Sequence, residues 1–196
     1  MLSVFKSKSG RVSCKNNLST NGISISSGVN LAPDSEKKER RKTFLTSSKK
    51  KKDTNAEKAV SFNCWDLGGQ EIFYPTHQFF LTCNSVYILA FDASKPEQSR
   101  VEYWMRQIRT LTNNSTKAPV FIVGTHIDDP ICVPEYLDRL QKSLARTFTR
   151  SRFRGMQGVF LISSKTGDGI AELKESIYNV VTGKNFQPFV APSWVR

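Results

Sequence analysis

The stretch WDLGGQE at residues 65–71 combines residue types that can bind a phosphate group. It follows Val60–Cys64, where apolar and polar side chains alternate as they do along a β-strand. At such a strand end Asp66 can hold Mg²⁺ through a water molecule, and the backbone N–H of Gly69 can approach a terminal phosphate because no Cβ obstructs it. Gln70 can orient an attacking water. The alternative interpretation is a strand that ends in an ordinary glycine turn.

A carboxylate with a different use follows the continuous apolar run Val120–Val123, where the chain continues as Thr125-His126-Ile127-Asp128. The side chain of Asp128 can accept hydrogen bonds from the N1–H and the 2-amino group of guanine. Adenine lacks both donors and would leave a buried carboxylate unpaired, which is costly. The alternative is a turn or helix-cap aspartate, as the sequence Asp-Asp-Pro at this point also permits.

The third candidate group is Ser163-Ser164-Lys165, which follows the apolar run Val159–Ile162. The aliphatic stem of Lys165 can lie on a purine face, and the N–H of Ser164 can meet the guanine O6. The alternative for Lys165 is a solvated surface lysine.

Alternating strands and helices are predicted to position these groups from residue 60 onward. The predicted strands are Val60–Cys64, Val86–Phe91, Val120–Val123 and Val159–Ile162; the last three are predicted to be buried, and Val86–Phe91 on both faces. Predicted helices open at Pro96 and Pro134, and a last one carries the stripe Ile170, Leu173, Ile177 and Val181. This rhythm predicts an α/β fold with a mostly parallel sheet and helices on both faces. Ligands of such sheets bind beyond the carboxyl ends of the strands, so the three groups are expected to meet at one rim.

The charge of the chain is concentrated in its first third. Residues 1–60 carry 14 Lys and Arg against 5 Asp and Glu, whereas residues 61–196 carry 15 against 12. Residues 33–58 hold most of this charge and few large apolar side chains, so they are expected to be a disordered basic insertion. Residues 1–32 are interpreted as a helix end, a loop that contains Thr20, and a short edge strand at Ile23–Ile25.

Cysteine usage and hydropathy favour a cytoplasmic protein. The four cysteines are scattered without metal-binding spacing and are expected to be free thiols in a reducing compartment. No apolar run approaches the roughly 18 residues that a membrane span needs, and the short apolar start is interrupted by lysine too early for a signal peptide.

Together these strings resemble the Ras-like small GTPases, and within them the Roc (Ras-of-complex) domain of Roco proteins. Residues 66–70 match the DxxGQ motif of that family, Thr125–Asp128 has its Thr-His-x-Asp form, residues 71–80 match its following segment with a Tyr-x-x-His pair, and Ser163–Lys165 resembles its Ser-Ala-Lys loop. The resemblance covers about residues 1–25 and 59–196. It implies a Ras-like P-loop NTPase fold and a GTP-binding molecular switch.

The resemblance also implies a set of site residues and ligands. GTP or GDP and Mg²⁺ would be bound, with Gln70 as the catalytic residue and with Thr20 and Asp66 at the metal. The implied GTP-binding residues are Gly69, Thr125, His126, Asp128, Ser163, Ser164 and Lys165. Residues 59–186 would form the Roc-like GTPase domain, and residues 187–196 would lead towards a COR-like domain.

Guanine nucleotide and regulatory or effector proteins are the implied partners. A homodimer and an anionic membrane contact through residues 37–52 are further candidates. No specific nucleic acid is expected, because no aromatic residue interleaves the lysines to stack on bases.

The chain departs from the family pattern at one point, since it contains no G-x-x-x-x-G-K-[ST] string to cradle the phosphates. The strand that precedes that string, which would lie between the strands ending at Asp66 and Asp92, is therefore expected to be missing. Its absence would remove about 10 kcal/mol of apolar burial from a domain whose margin is only about 5–15 kcal/mol. We expect a fragment or truncated product of a longer Roco-type protein; the alternative is that Met1–Phe5 replaces the strand.

Three functions remain open at this point. The chain is a GTP-binding and GTP-hydrolysing switch, or a nucleotide-free degraded G domain that acts as a protein-interaction module, or a protein whose activity resides in the basic segment 37–58 as a tract for anionic lipid, nucleic acid or nuclear import.

Overall fold

The structure is a computed structural model that describes residues 23–31, 60–77, 79, 81, 82, 85–116, 118–183 and 186. Thr20, the segments 1–22, 33–58 and 187–196, and the alternative strand at Met1–Phe5 lie outside these residues. The predictions made for them therefore stay predictions. None of the helices in the described ranges is long and apolar enough to cross a membrane.

Two antiparallel strands, β1 (Ile23–Leu31) and β2 (Val60–Leu67), form a sheet of their own. Both were predicted at the correct places but are longer than predicted, because their backbone pairing continues over the whole length from Leu31 opposite Val60 to Ile23 opposite Leu67. Asp66 consequently lies inside β2, one residue before its end, and not in the loop that follows.

Three parallel strands form the second sheet in the order β3 (Tyr87–Asp92), β4 (Val120–Thr125) and β5 (Met156–Leu161). The strands β3 and β4 are mostly buried, as their apolar runs predicted. The prediction of a buried strand at Val159–Ile162 holds in part, since Val159 and Ile162 are buried whereas Phe160 and Leu161 are half-buried. Among the described strands β5 is an edge with a single neighbour, which leaves its other side partly open to solvent.

In the part of the chain that the structure describes, four helices connect or follow these strands: α1 (Tyr74–His77), α2 (Val101–Leu111), α3 (Pro134–Thr147) and α4 (Ile170–Thr182). The helix predicted to open at Pro96 was placed too early. Pro96 instead begins a three-residue 3₁₀ turn, and the extended backbone of Ser99 then separates that turn from α2. Proline presets the backbone angle of a turn and of a helix alike, so its position alone cannot distinguish the two.

Helices cover both faces of the parallel sheet, as predicted. On one face, α2 and α3 pack on the sheet through Trp104, Met105, Ile108, Leu137, Leu140 and Leu144, against Leu89, Ile122 and Val159 among others. On the opposite face, α4 packs through Leu173, Ile177 and Val181 against Ile88, Phe121 and Val123, and Leu31, Val60 and Phe62 of the β1–β2 pair join this cluster. Because β3, β4 and β5 are parallel neighbours, their carboxyl ends lie at one rim of the sheet.

No ladder of hydrogen bonds joins β2 to β3 in the part of the chain that the structure describes. The β1–β2 pair is attached to the rest of these residues by apolar packing and not by sheet pairing.

Candidate functional site

The ends of β3 and β4 are locked together at the rim by Thr125. Its hydroxyl donates to the carbonyl oxygen of Phe91 at 3.0 Å, and its own carbonyl accepts the N–H of Ala93 at 2.9 Å. His126 follows with a left-handed φ of 62°. The Nδ1 atom of His126 lies 2.9 Å from the Thr125 hydroxyl oxygen and 3.7 Å from a carboxylate oxygen of Asp92.

Asp92 is a rim residue to which sequence reasoning assigned no role. Burial raises the pKa of the Asp92 carboxyl, but hydrogen bonds from the hydroxyl and the N–H of Ser94, together with the charges of His126 and Lys95, outweigh this, so the pKa lies below its ordinary value. The carboxylate is thus ionised at neutral pH and lies beside His126 at the turn.

Asp128 is held by the loop that follows β5. The Ser163 hydroxyl donates to Asp128 Oδ1 at 2.6 Å, and the ammonium of Lys165 lies 3.8 Å from Oδ2. The hydrogen bond from Ser163 lowers the pKa of Asp128; burial opposes it, Lys165 and His126 reinforce it, and the pKa ends below its ordinary value. The Asp128 side chain keeps 22% of its surface exposed, so this carboxylate can accept hydrogen bonds from a ligand.

Ser163 organises the loop as well as the carboxylate. This fully buried residue accepts the N–H groups of Lys165 and Thr166 on its hydroxyl oxygen at 3.2 and 3.1 Å. Its own N–H donates to the carbonyl of Asp168 at 3.0 Å, and the Thr166 hydroxyl donates to the Asp168 carboxylate at 2.6 Å. Sequence reasoning missed Thr166 and Asp168, although a run of serine, threonine, glycine and aspartate is typical of such self-bonded turns.

The family model described as "Ras of Complex, Roc, domain of DAPkinase" matches residues 29–128, which include Asp66 and Asp128. This chain belongs to the Roc family.

Several large proteins carry a similar segment. The chain is 40% identical over 131 residues to "Probable serine/threonine-protein kinase roco11" of Dictyostelium discoideum. This match covers 65% of this chain and 8% of that protein. It is 36% identical over 170 residues to "Probable serine/threonine-protein kinase pats1" of the same organism, covering 86% of this chain and 5% of that one. The chain therefore spans less than a tenth of these relatives.

A solved structure with the same fold is that of Methanosarcina barkeri Roco2 RocCORdC bound to GDP. The TM-score is 0.56 at 28% sequence identity, and the match covers 90% of this chain and 43% of that one. This confirms the prediction of a Ras-like α/β fold of Roc type.

The residues predicted to contact the phosphates, the metal and the attacking water form a second group in this Roc chain. Asp66 lies near the end of β2, and Gly69 and Gln70, which follow in the next loop, are exposed to solvent. The Tyr74 hydroxyl donates to the carbonyl of Gly69 at 3.3 Å, which ties α1 to this loop. Within the described residues, the hydrogen bonds and ion pairs that join Thr125 to His126, and Asp128 to Ser163 and Lys165, include neither Gly69 nor Gln70. The side chain of Ser164 is exposed on the loop between its neighbours.

His77 anchors the segment that follows Gln70 onto α2. Its side chain is fully buried, with ring centroids 6.5 Å from Phe73, 6.2 Å from Tyr74 and 5.5 Å from Trp104. Neither ring nitrogen has a hydrogen-bond partner among the described residues. Burial lowers the pKa of His77, because a charged imidazolium would be desolvated here.

A His77→Phe variant is expected to remove an acid sensitivity of the fold. A histidine whose pKa is lower in the folded than in the unfolded state stabilises the fold fully above the unfolded pKa of about 6.5. Below that pH, stability falls by up to about 1.4 kcal/mol per pH unit until the folded pKa is reached. Urea unfolding of both proteins between pH 7.5 and about 5 measures this slope, and an equal slope in the two would contradict it.

A Ser163→Ala variant is expected to loosen the loop and raise the pKa of Asp128. The change removes the donor to Asp128 and leaves the N–H groups of Lys165 and Thr166 without their acceptor, at a cost of about 1–3 kcal/mol. Urea unfolding measures the first effect and an NMR titration of the carboxyl carbon the second. Ser164→Ala, at an exposed side chain on the same loop, is the control and should change stability by less than about 0.5 kcal/mol.

Proposed function

We propose that this Roc chain binds guanine nucleotides through a base-recognition site that is preformed at the rim. The hydrogen bond from Ser163 to Asp128 carries the proposal, because it fixes an ionised, partly exposed carboxylate beside the Lys165 ammonium. A carboxylate so placed can accept from the N1–H and 2-amino groups of guanine, and the lysine stem can cover the ring. The GDP bound to the Methanosarcina barkeri Roco2 protein supports this choice of ligand.

The phosphate side of the proposed site is expected to contribute less to the affinity than the base side. Asp66 fits Mg²⁺, which usually takes one or two carboxylates together with water and phosphate oxygens, and Thr20 is the second proposed metal residue. Gly69 would contact the terminal phosphate and Gln70 would orient the water for GTP hydrolysis. Because the sequence has no G-x-x-x-x-G-K-[ST] string, we expect the base to supply most of the affinity.

The switch function belongs to this proposal. We infer that the GTP-dependent switch acts in the cytoplasm within a longer Roco-type protein, with regulatory or effector proteins as partners. The small share of its relatives that the chain spans supports only the part of this proposal that concerns a longer protein.

Titration of a fluorescent GDP analogue against the chain tests the proposal. Saturable binding is expected, with guanosine and GMP displacing the probe nearly as well as GDP and with ATP not displacing it. That pattern follows if the base contacts dominate. Absence of saturable binding, or displacement by ATP as readily as by GDP, would contradict it.

A second candidate function is a nucleotide-indifferent protein-interaction module. Exposed apolar residues on β1, on β2 and after the loop that carries Gly69 and Gln70 favour this interaction function. Ile25 and Trp65 face each other across β1 and β2 and are 58% and 39% exposed, and Ile72 and Phe79 are 77% and 83% exposed. Patches of this kind mark interaction surfaces. This function predicts a homodimer or partner complex whose sedimentation is unchanged by GDP or GTP, and a monomer at all concentrations would argue against the homodimer.

A further inference from the structure

The loops at the amino-terminal ends of β4 and β5 carry basic residues and no acidic ones. Residues 103–127 and 139–167 contain no aspartate or glutamate. Four exposed arginines lie at this end of the sheet, and we refer to Arg109, Arg150, Arg152 and Arg154 as the arginine edge. Within the described ranges, none of the four forms an ion pair with a carboxylate.

The arginine edge is assembled by contacts that bring together the end of α2, which carries Arg109, and the two loops. The guanidinium carbons of Arg109 and Arg152 lie 5.7 and 5.6 Å from the centre of the Phe153 ring, which is itself only 4% exposed. The backbone N–H of Arg154 donates to the side-chain oxygen of Asn114 at 3.0 Å and so joins the two loops. Because these contacts already hold the cationic side chains in one region, binding a partner costs little further loss of side-chain freedom.

The edge faces away from the rim that holds Asp128. Residues 112–119 and 148–155 precede β4 and β5, whereas Asp128 and Ser163 follow them, and the two strands are parallel. A partner bound at the edge would therefore leave the proposed base site open. Guanidinium groups that lack carboxylate partners suit phosphate oxygens, which they can bind through two parallel hydrogen bonds.

We propose that the arginine edge binds a membrane surface that contains anionic phospholipid. An apolar side chain beside the cations favours lipid over nucleic acid, since Leu111, at the end of the helix that carries Arg109, is 40% exposed. Phe148 and Phe153, the aromatic residues of the second loop, are both buried and cannot stack on bases. This inference does not depend on nucleotide binding and involves residues outside the basic segment 37–52.

Co-sedimentation of the 196-residue chain with lipid vesicles tests the proposal. The chain is expected to bind vesicles that mix phosphatidylserine with phosphatidylcholine, and not vesicles of phosphatidylcholine alone, with binding that weakens as salt is added. An Arg152→Gln/Arg154→Gln double variant should bind roughly 30-fold more weakly, because each basic residue at an anionic surface contributes roughly a five-fold factor. Restoring charge with lysine at both positions should restore binding.

A double variant that removes the same charge elsewhere serves as the matched control. Arg106 forms an ion pair with Glu102 on α2, unlike the four edge arginines, and Arg139 lies on α3 with its guanidinium bonded to the Glu135 carbonyl. Arg106→Gln/Arg139→Gln should bind vesicles as the parent does, and urea midpoints of all variants establish that they fold.

The basic segment supplies a second comparison. With Lys49, Lys50, Lys51 and Lys52 changed to glutamine, the loss caused by the arginine-edge variant is expected to persist. Equal binding by the edge variant and its control, or loss of the edge effect in that background, would overturn the proposal. Tighter binding to duplex RNA or to polyglutamate than to anionic vesicles in the same buffer would overturn it too.

Discussion

An Asp128→Asn variant is expected to bind GDP roughly ten- to a hundred-fold more weakly than the parent chain and to bind xanthosine diphosphate more tightly. An asparagine amide presents one acceptor and one donor where the carboxylate presents two acceptors, so it cannot satisfy both the N1–H and the 2-amino group of guanine. Xanthine carries a carbonyl in place of that amino group and matches the amide. Competition against a fluorescent GDP analogue measures both changes.

Asp129→Asn is the control for this exchange. Asp129 is the next residue, its carboxylate accepts the N–H of Ile131 at 3.0 Å, and its side chain is exposed in the same turn. It should leave the ratio of GDP to xanthosine diphosphate affinities unchanged. An Asp128→Asn protein that keeps the parent's preference for guanine would refute the assignment of this carboxylate to the base.

The largest expected loss of stability follows from Gly169→Ala. Gly169 precedes α4 with a left-handed φ of 71°, and a Cβ built there would lie 2.2 Å from the carbonyl oxygen of Leu161. The left-handed backbone costs an alanine about 1–2 kcal/mol, and the clash with backbone of β5 cannot be relieved by turning a side chain. We expect unfolding in urea to show a loss of at least about 3 kcal/mol.

Gly167→Ala separates the two causes. Gly167 also has a positive φ, of 91°, but a Cβ there would meet nothing within 4 Å. The Gly167→Ala variant should lose only the stability that a left-handed backbone costs an alanine, about 1–2 kcal/mol. Equal losses for the two variants would show that the close approach to Leu161 is relieved in solution. Because Asp168 accepts the N–H of Ser163, the Gly169 variant should also weaken GDP binding.

Several failures of prediction share a physical origin. The apolar run at Val159–Ile162 located β5 but not its half-exposed faces, since burial depends on how many strands and helices lie beside it. Pro96 marked the start of a turn that local sequence cannot distinguish from the start of a helix. In both cases the sequence pattern reports the preference of a segment, and its neighbours decide the outcome.

By itself the sequence determined the order of the strands and helices, the helices on both faces of the parallel sheet, and the rim positions of Asp128 and Lys165, because apolar periodicity and strand ends are local properties. Only the tertiary structure decided that the Ser163 hydroxyl donates to Asp128, 35 residues away. It also decided that His77 is buried without a hydrogen-bond partner among the described residues, and that Arg109 and Arg152 meet at the ring of Phe153. Each of these depends on distances between segments far apart in the chain, and packing of the folded core is what fixes such distances.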